Sequence, residues 1–242
     1  MLPEVDSEFN FMALVRGPRI VRNGLVLHLD AAQRTSYSGS GTAWNDLSGN
    51  RNNGTLTNGP TFNSANGGSI VFDGVDDFVS YPSLLNVGNT FTINFWIKPT
   101  SNTRQTIISD GYPYSTNKGI FLCCPGNNST DMFLSLGQDQ KLVVSNTNVI
   151  TTNVIQMITA RANGAVDLMK LYVNATEVSY ATQNDANISL QYDTGIFVTG
   201  KRDTTTADKL FSNLYGLQIY NRALSASEIL QNYNTTKGRF NL

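Results

Sequence analysis

Hydrophobic positions in this chain recur mostly on a two-residue period. In GLVLHLD, Leu25, Leu27 and Leu29 alternate with Val26, His28 and Asp30. Phe91, Ile93, Phe95 and Ile97 alternate with Thr92, Asn94, Trp96 and Lys98, and Tyr215, Leu217 and Ile219 with Gly216, Gln218 and Tyr220. Successive strand side chains point to opposite faces, so each run predicts a strand with one face buried. SIVFDGVDDFVSY, 69 to 81, predicts two strands joined by a tight Asp73-Gly74 turn. Further short strands are predicted at 105–109, 119–124, 132–136, 141–144, 154–161 and 168–173, and at GIFVTG, with turns at Asn163-Gly164 and Asn174-Ala175. Tyr37 to Pro60 reads as loop, with Trp44 as its lone apolar anchor. A succession of short strands with turn signals between them predicts an all-β fold, a two-sheet antiparallel jelly-roll sandwich.

The period changes once. Ser225 and Glu228 form an S-x-x-E capping box, and Leu224 and Ile229 occupy the two positions of a hydrophobic staple around it. Ile229, Leu230 and Tyr233 then make one apolar stripe on a short C-terminal helix. A helix of that length is not stable alone. It is therefore expected to close one end or edge of the sandwich.

Composition agrees with this reading and narrows it. The 242 residues are rich in Gly, Asn, Ser and Thr and suit a single large β domain. A formal net charge of −1 gives no electrostatic reason to expect nucleic acid or an anionic membrane as partner. Cys123 and Cys124 are adjacent, too close for the usual disulfide geometry and directed to opposite strand faces. Together with three acidic residues where a signal peptide carries basic ones, this predicts synthesis in a reducing host cytoplasm. Residues 1–22 are expected to form an N-terminal arm, acidic at Glu4, Asp6 and Glu8 and basic at Arg16, Arg19 and Arg22. Residues 23–242 are expected to form the domain. Phe9, Phe11, Met12 and Leu14 are apolar for a free tail, which makes the arm a candidate partner-binding segment, and Met12 is a second candidate start.

The chain resembles a LamG-like jelly roll of the concanavalin A-like lectin/glucanase superfamily. The resemblance rests on GLVLHLDA at 24–31, WNDLSGN at 44–50, GSIVFDGVDDFV at 68–79, FTINFWIKP at 91–99, LYVN at 171–174 and IYNRALSASEILQNYN at 219–234. Two positions depart from the family pattern, Ala175 and Asn213, both where the family has glycine. The leader MALVRGPRIVRNGLVLHLDA is similar to stand-alone phage-encoded copies. The resemblance implies a non-catalytic virion structural protein of a tailed phage, for capsid decoration or tail-associated adhesion. Its implied partners are virion proteins such as the major capsid protein and further copies of itself. The alternative it implies is a lectin module that binds a host surface glycan; a remnant of a secreted glycoside hydrolase ranks third.

The residues themselves offer little catalytic chemistry. Glycoside hydrolysis needs two carboxyls flanking the scissile bond, and the only glutamates are Glu4, Glu8, Glu177 and Glu228, none in a Glu-x-Asp-x-Glu strand motif. His28 is the only histidine, so no Ser-His-Asp arrangement can be argued, and it is expected to face a polar neighbour in its strand. Asp73, Asp76 and Asp77 crowd one turn and are candidate calcium ligands, although Asp is also a common turn residue. No cofactor is expected. For a glycan, exposed aromatics are the usual platform, and Trp44, Tyr81, Trp96, Tyr112 and Tyr114 are the candidates.

Overall fold

The computed structural model describes residues 19–81, 87–110, 119–124, 131–136, 141–164, 167–184, 197–201 and 209–242. The first strands are β1 (Leu25–Asp30), β2 (Ala43–Trp44), β3 (Gly54–Thr57), β4 (Thr61–Asn63), β5 (Ser69–Asp73) and β6 (Phe78–Ser80). The middle of the chain supplies β7 (Thr90–Pro99), β8 (Thr106–Asp110), β9 (Ile120–Cys123), β10 (Phe133–Leu136) and β11 (Lys141–Ser145). Then come β12 (Gln156–Asn163), β13 (Asp167–Val173), β14 (Thr176–Glu177), β15 (Tyr180–Asn184), β16 (Phe197–Thr199) and β17 (Phe211–Tyr220). Helix α1 (Ala226–Thr236) runs into a single 3-10 turn at Lys237–Phe240.

These strands form two antiparallel sheets. The first has the order β14-β13-β12-β7-β17-β5-β4, with β1 also paired to β17; the second has the order β15-β11-β10-β9-β8-β16-β6-β3-β2. Their inner faces meet in one core. Phe72, Phe91, Ile93, Phe95, Ile97, Leu217 and Ile219 enter it from the first sheet, and Leu56, Val79, Ile108, Leu122, Leu134 and Val143 from the second. The two-residue period does this directly in β7, whereas a bulge between Leu214 and Gly216 shifts the alternation in β17, so Leu214, Leu217 and Ile219 face the core and Tyr215 the outer cluster. The sandwich predicted from the sequence is the fold observed.

One hairpin is not formed. The expected turn at Asp73-Gly74 joins strands of different sheets: β5 pairs with β4 and β17, whereas β6 pairs with β3 and β16. Ile70, Phe72 and Val79 all point into the core, which is satisfied only if the chain crosses from one sheet to the other between them. The turn predicted at Asn174-Ala175 does form. Asn174 and Ala175 both adopt positive φ, 50° and 64°, and close β13 on β14.

The helix does not sit at an end or edge. It lies across the outer face of the first sheet. Ile229, Leu224 and Phe240 pack with Trp96, Met157, Tyr172, Tyr215 and Tyr220 in a second apolar cluster. Both faces of β7 are therefore buried along most of its length. Trp96 stacks on Tyr233 at 5.7 Å between centroids and donates its Nε1–H to Thr236 Oγ1 at 2.8 Å. The inward stripe is 229-232-233-236 in place of 229-230-233: Ile229 and Asn232 are buried, Tyr233 and Thr236 half-buried, and Leu230 is 48% exposed.

The start of the helix is closed as the sequence predicts. Ser225 Oγ accepts from Glu228 N at 3.2 Å and Glu228 Oε2 accepts from Ser225 N at 2.9 Å. Glu228 also takes a bidentate pair from Arg222, at 2.8 and 2.5 Å. The Arg222 guanidinium, helped by the Ser225 amide and opposed by partial burial, lowers the Glu228 carboxyl from 4.5 to about 2. A carboxyl depressed in the folded state stabilises above its unfolded value and loses that contribution as pH falls through its folded value. Wild type is therefore expected to lose its stability advantage over Glu228→Gln between about pH 4.5 and pH 2. Parallel stability–pH curves for the two proteins would exclude the pair as a source of acid sensitivity.

Residues 19–22, assigned to the arm on sequence, belong to the packed domain. Val21 is buried; its N–H donates to Asn232 Oδ1 at 2.8 Å and its carbonyl accepts from Tyr220 OH at 3.0 Å. Arg19 O accepts from Gln231 Nε2 at 2.7 Å. The segment is a strap under the helix. Its pattern gives no strand or helix period, so local sequence reading had no hold on it.

Candidate functional site

Between the strap, the helix and the outer face of the first sheet lies a cavity of about 480 Å³. Its floor follows from strand register. Thr159 of β12 pairs with Asn94 of β7, Asn94 with Gln218 of β17, and Gln218 with His28 of β1. These four residues occupy outward positions, so their polar side chains form one row across four strands. Thr159 Oγ1 donates to Asn94 Oδ1 at 2.7 Å, and Asn94 Nδ2 to Gln218 Oε1 at 3.4 Å. Asn94, Gln218 and His28 line the cavity; Trp96, Met157 and Phe240 supply apolar wall.

Two floor groups are left with hydrogen-bonding capacity. The Gln218 amide nitrogen makes no hydrogen bond among the described residues, although Asn94 donates to its oxygen and the Tyr220 hydroxyl lies 3.4 Å from it. His28 has the polar neighbour expected on sequence, Gln218 across the strand pair, but its buried Nδ1 has no hydrogen-bond partner. Burial lowers the pKa of His28, and the nearby Arg22 charge works in the same direction against Asp30 and Asp46. The imidazole is thereby favoured in its neutral form, able to accept or donate one hydrogen bond. Sequence reading singled out His28 only to set it aside, and it passed over Gln218. The available signal was the alternation itself, which puts a polar residue on the outer face of each of three neighbouring strands.

The charged groups of the wall differ in how they are used. Arg239 is held at 2.8 Å from Asp30 and also donates to the carbonyls of Asn66 and Gly68. Arg19 and Arg22 are exposed at the strap, line the same cavity, and form no side-chain hydrogen bond or ion pair among the described residues.

The aromatic candidates for a glycan platform are placed elsewhere. Trp44 is fully buried in the core, and Tyr81 is buried with its hydroxyl 3.0 Å from Thr199 Oγ1. Trp96 borders the cavity, but Tyr233 and Phe240 already pack on it. The hydrophobic demand of the sandwich and helix interfaces claims all three. Tyr112 and Tyr114 lie outside the described residues, as do Phe9, Phe11, Met12, Leu14 and Arg16 of the arm.

Asp73, Asp76 and Asp77 do converge, with one carboxylate oxygen of each within 4.8 Å of the others. Two of them already serve the turn: Asp77 Oδ2 accepts from Asp73 N at 3.0 Å, and Asp73 Oδ1 from Val75 N at 2.8 Å. Burial, reinforced by the neighbouring carboxylates and opposed by the Asp73 amide, raises the pKa of Asp77. These bonds favour a backbone-capping role over cation binding. Calcium or a chelator is expected to leave the melting temperature nearly unchanged. A calcium-dependent rise that disappears in Asp76→Asn/Asp77→Asn would make the turn a metal site.

Residues 73–230 match a family model described as the concanavalin A-like lectin/glucanases superfamily. No curated protein sequence matches the chain. Among solved structures, the chain is similar to domain 4 of AbnA, a GH43 extracellular arabinanase from Geobacillus stearothermophilus, in complex with arabinotriose. The TM-score is 0.65 at 19% identity, covering 86% of this chain and 98% of that one. It is also similar to the botulinum neurotoxin serotype D ligand binding domain in complex with N-acetylneuraminic acid, with a TM-score of 0.67 at 18% identity, covering 89% of this chain and 52% of that one. The receptor binding domain of the botulinum neurotoxin C/D mosaic serotype gives a TM-score of 0.67 at 19% identity and the same coverage. The chain thus spans about half of the toxin chains it matches. At such identities the likeness concerns the fold.

Proposed function

The chain belongs to the concanavalin A-like lectin/glucanase superfamily, and from that premise we propose that it is a non-catalytic carbohydrate-binding module whose site is the cavity beneath the C-terminal helix. The observation that carries this reading is the cavity floor. Gln218 offers a free amide N–H₂ and His28 a neutral imidazole, beside the apolar edges of Trp96 and Met157. Sugar hydroxyls donate and accept, which is the chemistry that an amide and a neutral imidazole offer. The volume falls within the roughly 300–1,000 Å³ usual for small-molecule sites. Neighbours of the same fold in complex with arabinotriose and N-acetylneuraminic acid support the ligand class. The described glutamates support the absence of catalysis: Glu177 pairs with Lys170 at 3.0 Å, and Glu228 caps the helix.

Calorimetry against a panel of bacterial and host oligosaccharides tests the reading. Gln218→Met preserves side-chain volume and removes the amide; it is expected to weaken binding about tenfold and to lower the melting temperature, because Asn94 Nδ2 loses its acceptor, so binding is measured well below either melting point. A sugar that binds both proteins equally would place the site elsewhere.

A virion structural role, in capsid decoration or tail-associated adhesion, is the second reading. It is supported by the phage-like leader and by the apolar residues Phe9, Phe11, Met12 and Leu14. Co-sedimentation with assembled phage particles, lost on removing residues 1–18, is its expected signature.

A further inference from the structure

The wall of the cavity is more selective than its floor. Three arginines line it, Arg19, Arg22 and Arg239, against one acidic residue, Asp30. Asp30 is already matched, since its Oδ1 lies 2.8 Å from Arg239 and also accepts from Ala32 N at 2.9 Å. Asp46, the other carboxylate near His28, lies outside the cavity wall. It accepts from the amides of His28, Ser48 and Asn52 and from the Ser48 hydroxyl. Arg19 and Arg22 are thus two positive charges with no counter-charge among the described residues, three positions apart on one strap and facing one cavity.

A guanidinium has five N–H donors and no acceptor, and its fork matches a carboxylate in a bidentate pair. Neutral sugar hydroxyls use that geometry poorly. Resting on the carbohydrate-binding reading above, we infer that the cavity selects an acidic saccharide, one whose carboxylate is gripped by Arg19 and Arg22 while its hydroxyls meet Gln218 and His28. The two arginines are specificity-determining residues in this assignment. Their backbone carbonyls hold the strap, through Gln231 Nε2 to Arg19 O and Leu25 N to Arg22 O. Their side chains are therefore replaceable without disturbing the fold.

The test uses matched pairs that differ only at the carboxylate: sialyllactose against its methyl ester, and galacturonic acid oligomers against their methyl esters. Full-length protein is expected to bind the acidic member about tenfold or more tightly at low salt, the advantage of a charge-assisted hydrogen bond. Added salt should erode this preference, because the arginines are exposed. Arg19→Gln/Arg22→Gln should lower the acidic affinity to that of the neutral member, with the melting temperature unchanged. If the neutral member binds as tightly as the acidic one, the acid selectivity is wrong and the carbohydrate reading stands. If the acidic preference survives in the double variant, the arginines are not its source. If neither member of any pair binds, both the selectivity and the carbohydrate reading fall.

Discussion

Ile229→Ala is expected to lower the unfolding free energy by roughly 2 to 5 kcal/mol, the cost of deleting a buried aliphatic side chain and leaving part of its volume empty. Ile229 is fully buried and sits in the cluster with Trp96, Tyr220 and Leu224 that seals the helix to the first sheet. Collapse around the deletion is limited. Trp96 is fixed by its bond to Thr236, and Tyr220 by bonds to Val21 and Asn232. Two companion variants give the effect its scale. Ser225→Ala removes the N-cap acceptor and should cost about 1 kcal/mol. Leu230→Ala alters a side chain that is 48% exposed and should fall within about 0.5 kcal/mol of wild type. Denaturant midpoints ordered Ile229→Ala, Ser225→Ala, Leu230→Ala from lowest to highest are the expected result. A wild-type midpoint for Ile229→Ala would show that the helix does not dock.

That helix also shows what the sequence exposes and what it conceals. Its cap is a local device, built from residues three apart, and it was legible. Its docking partner was not, because the outer face of β7 reads Thr92, Asn94, Trp96, Lys98, a pattern equally suited to solvent. Only the strand order puts Trp96 beside Met157 and Tyr215 and turns that face into a second interior. Asn232 was passed over for the same reason. An asparagine in a helical stripe looks like a surface residue until Val21 and Tyr220 arrive from elsewhere in the chain to bond it. The floor of the candidate site is a still longer-range product. His28, Asn94, Thr159 and Gln218 are far apart in sequence and become neighbours through the registers of three strand pairs. The Asp73-Gly74 turn failed in the opposite way. Its local signal is a good hairpin signal, and the pull of Phe72 and Val79 into one core overrode it.

Removing residues 1–22 is expected to destabilise the domain by on the order of 3 kcal/mol, whereas removing residues 1–18 should leave its stability nearly unchanged. The four residues that separate these truncations make contacts that the helix cannot replace. Val21 is buried, and Ile20 packs against the same cluster. Asn232 Oδ1 loses the Val21 amide, and Tyr220 OH loses the Val21 carbonyl, so two buried polar groups lose partners 2.8 and 3.0 Å away. Each such loss costs about 1 to 3 kcal/mol when water cannot fully substitute, and the lost apolar burial adds to it. For a domain of this size the sum corresponds to a drop of roughly 6 to 12 °C in melting temperature. The shorter truncation leaves the strap whole, with its bonds to Asn232, Tyr220 and Gln231. The two truncations also separate the functional readings, because Arg19 and Arg22 go with the strap and not with the leader. The 19–242 chain should keep any acidic-sugar binding and lose any attachment to phage particles; the 23–242 chain should lose both. If the two truncated proteins melt together and bind alike, the strap is no part of the domain, and the cavity it helps to wall is not the site.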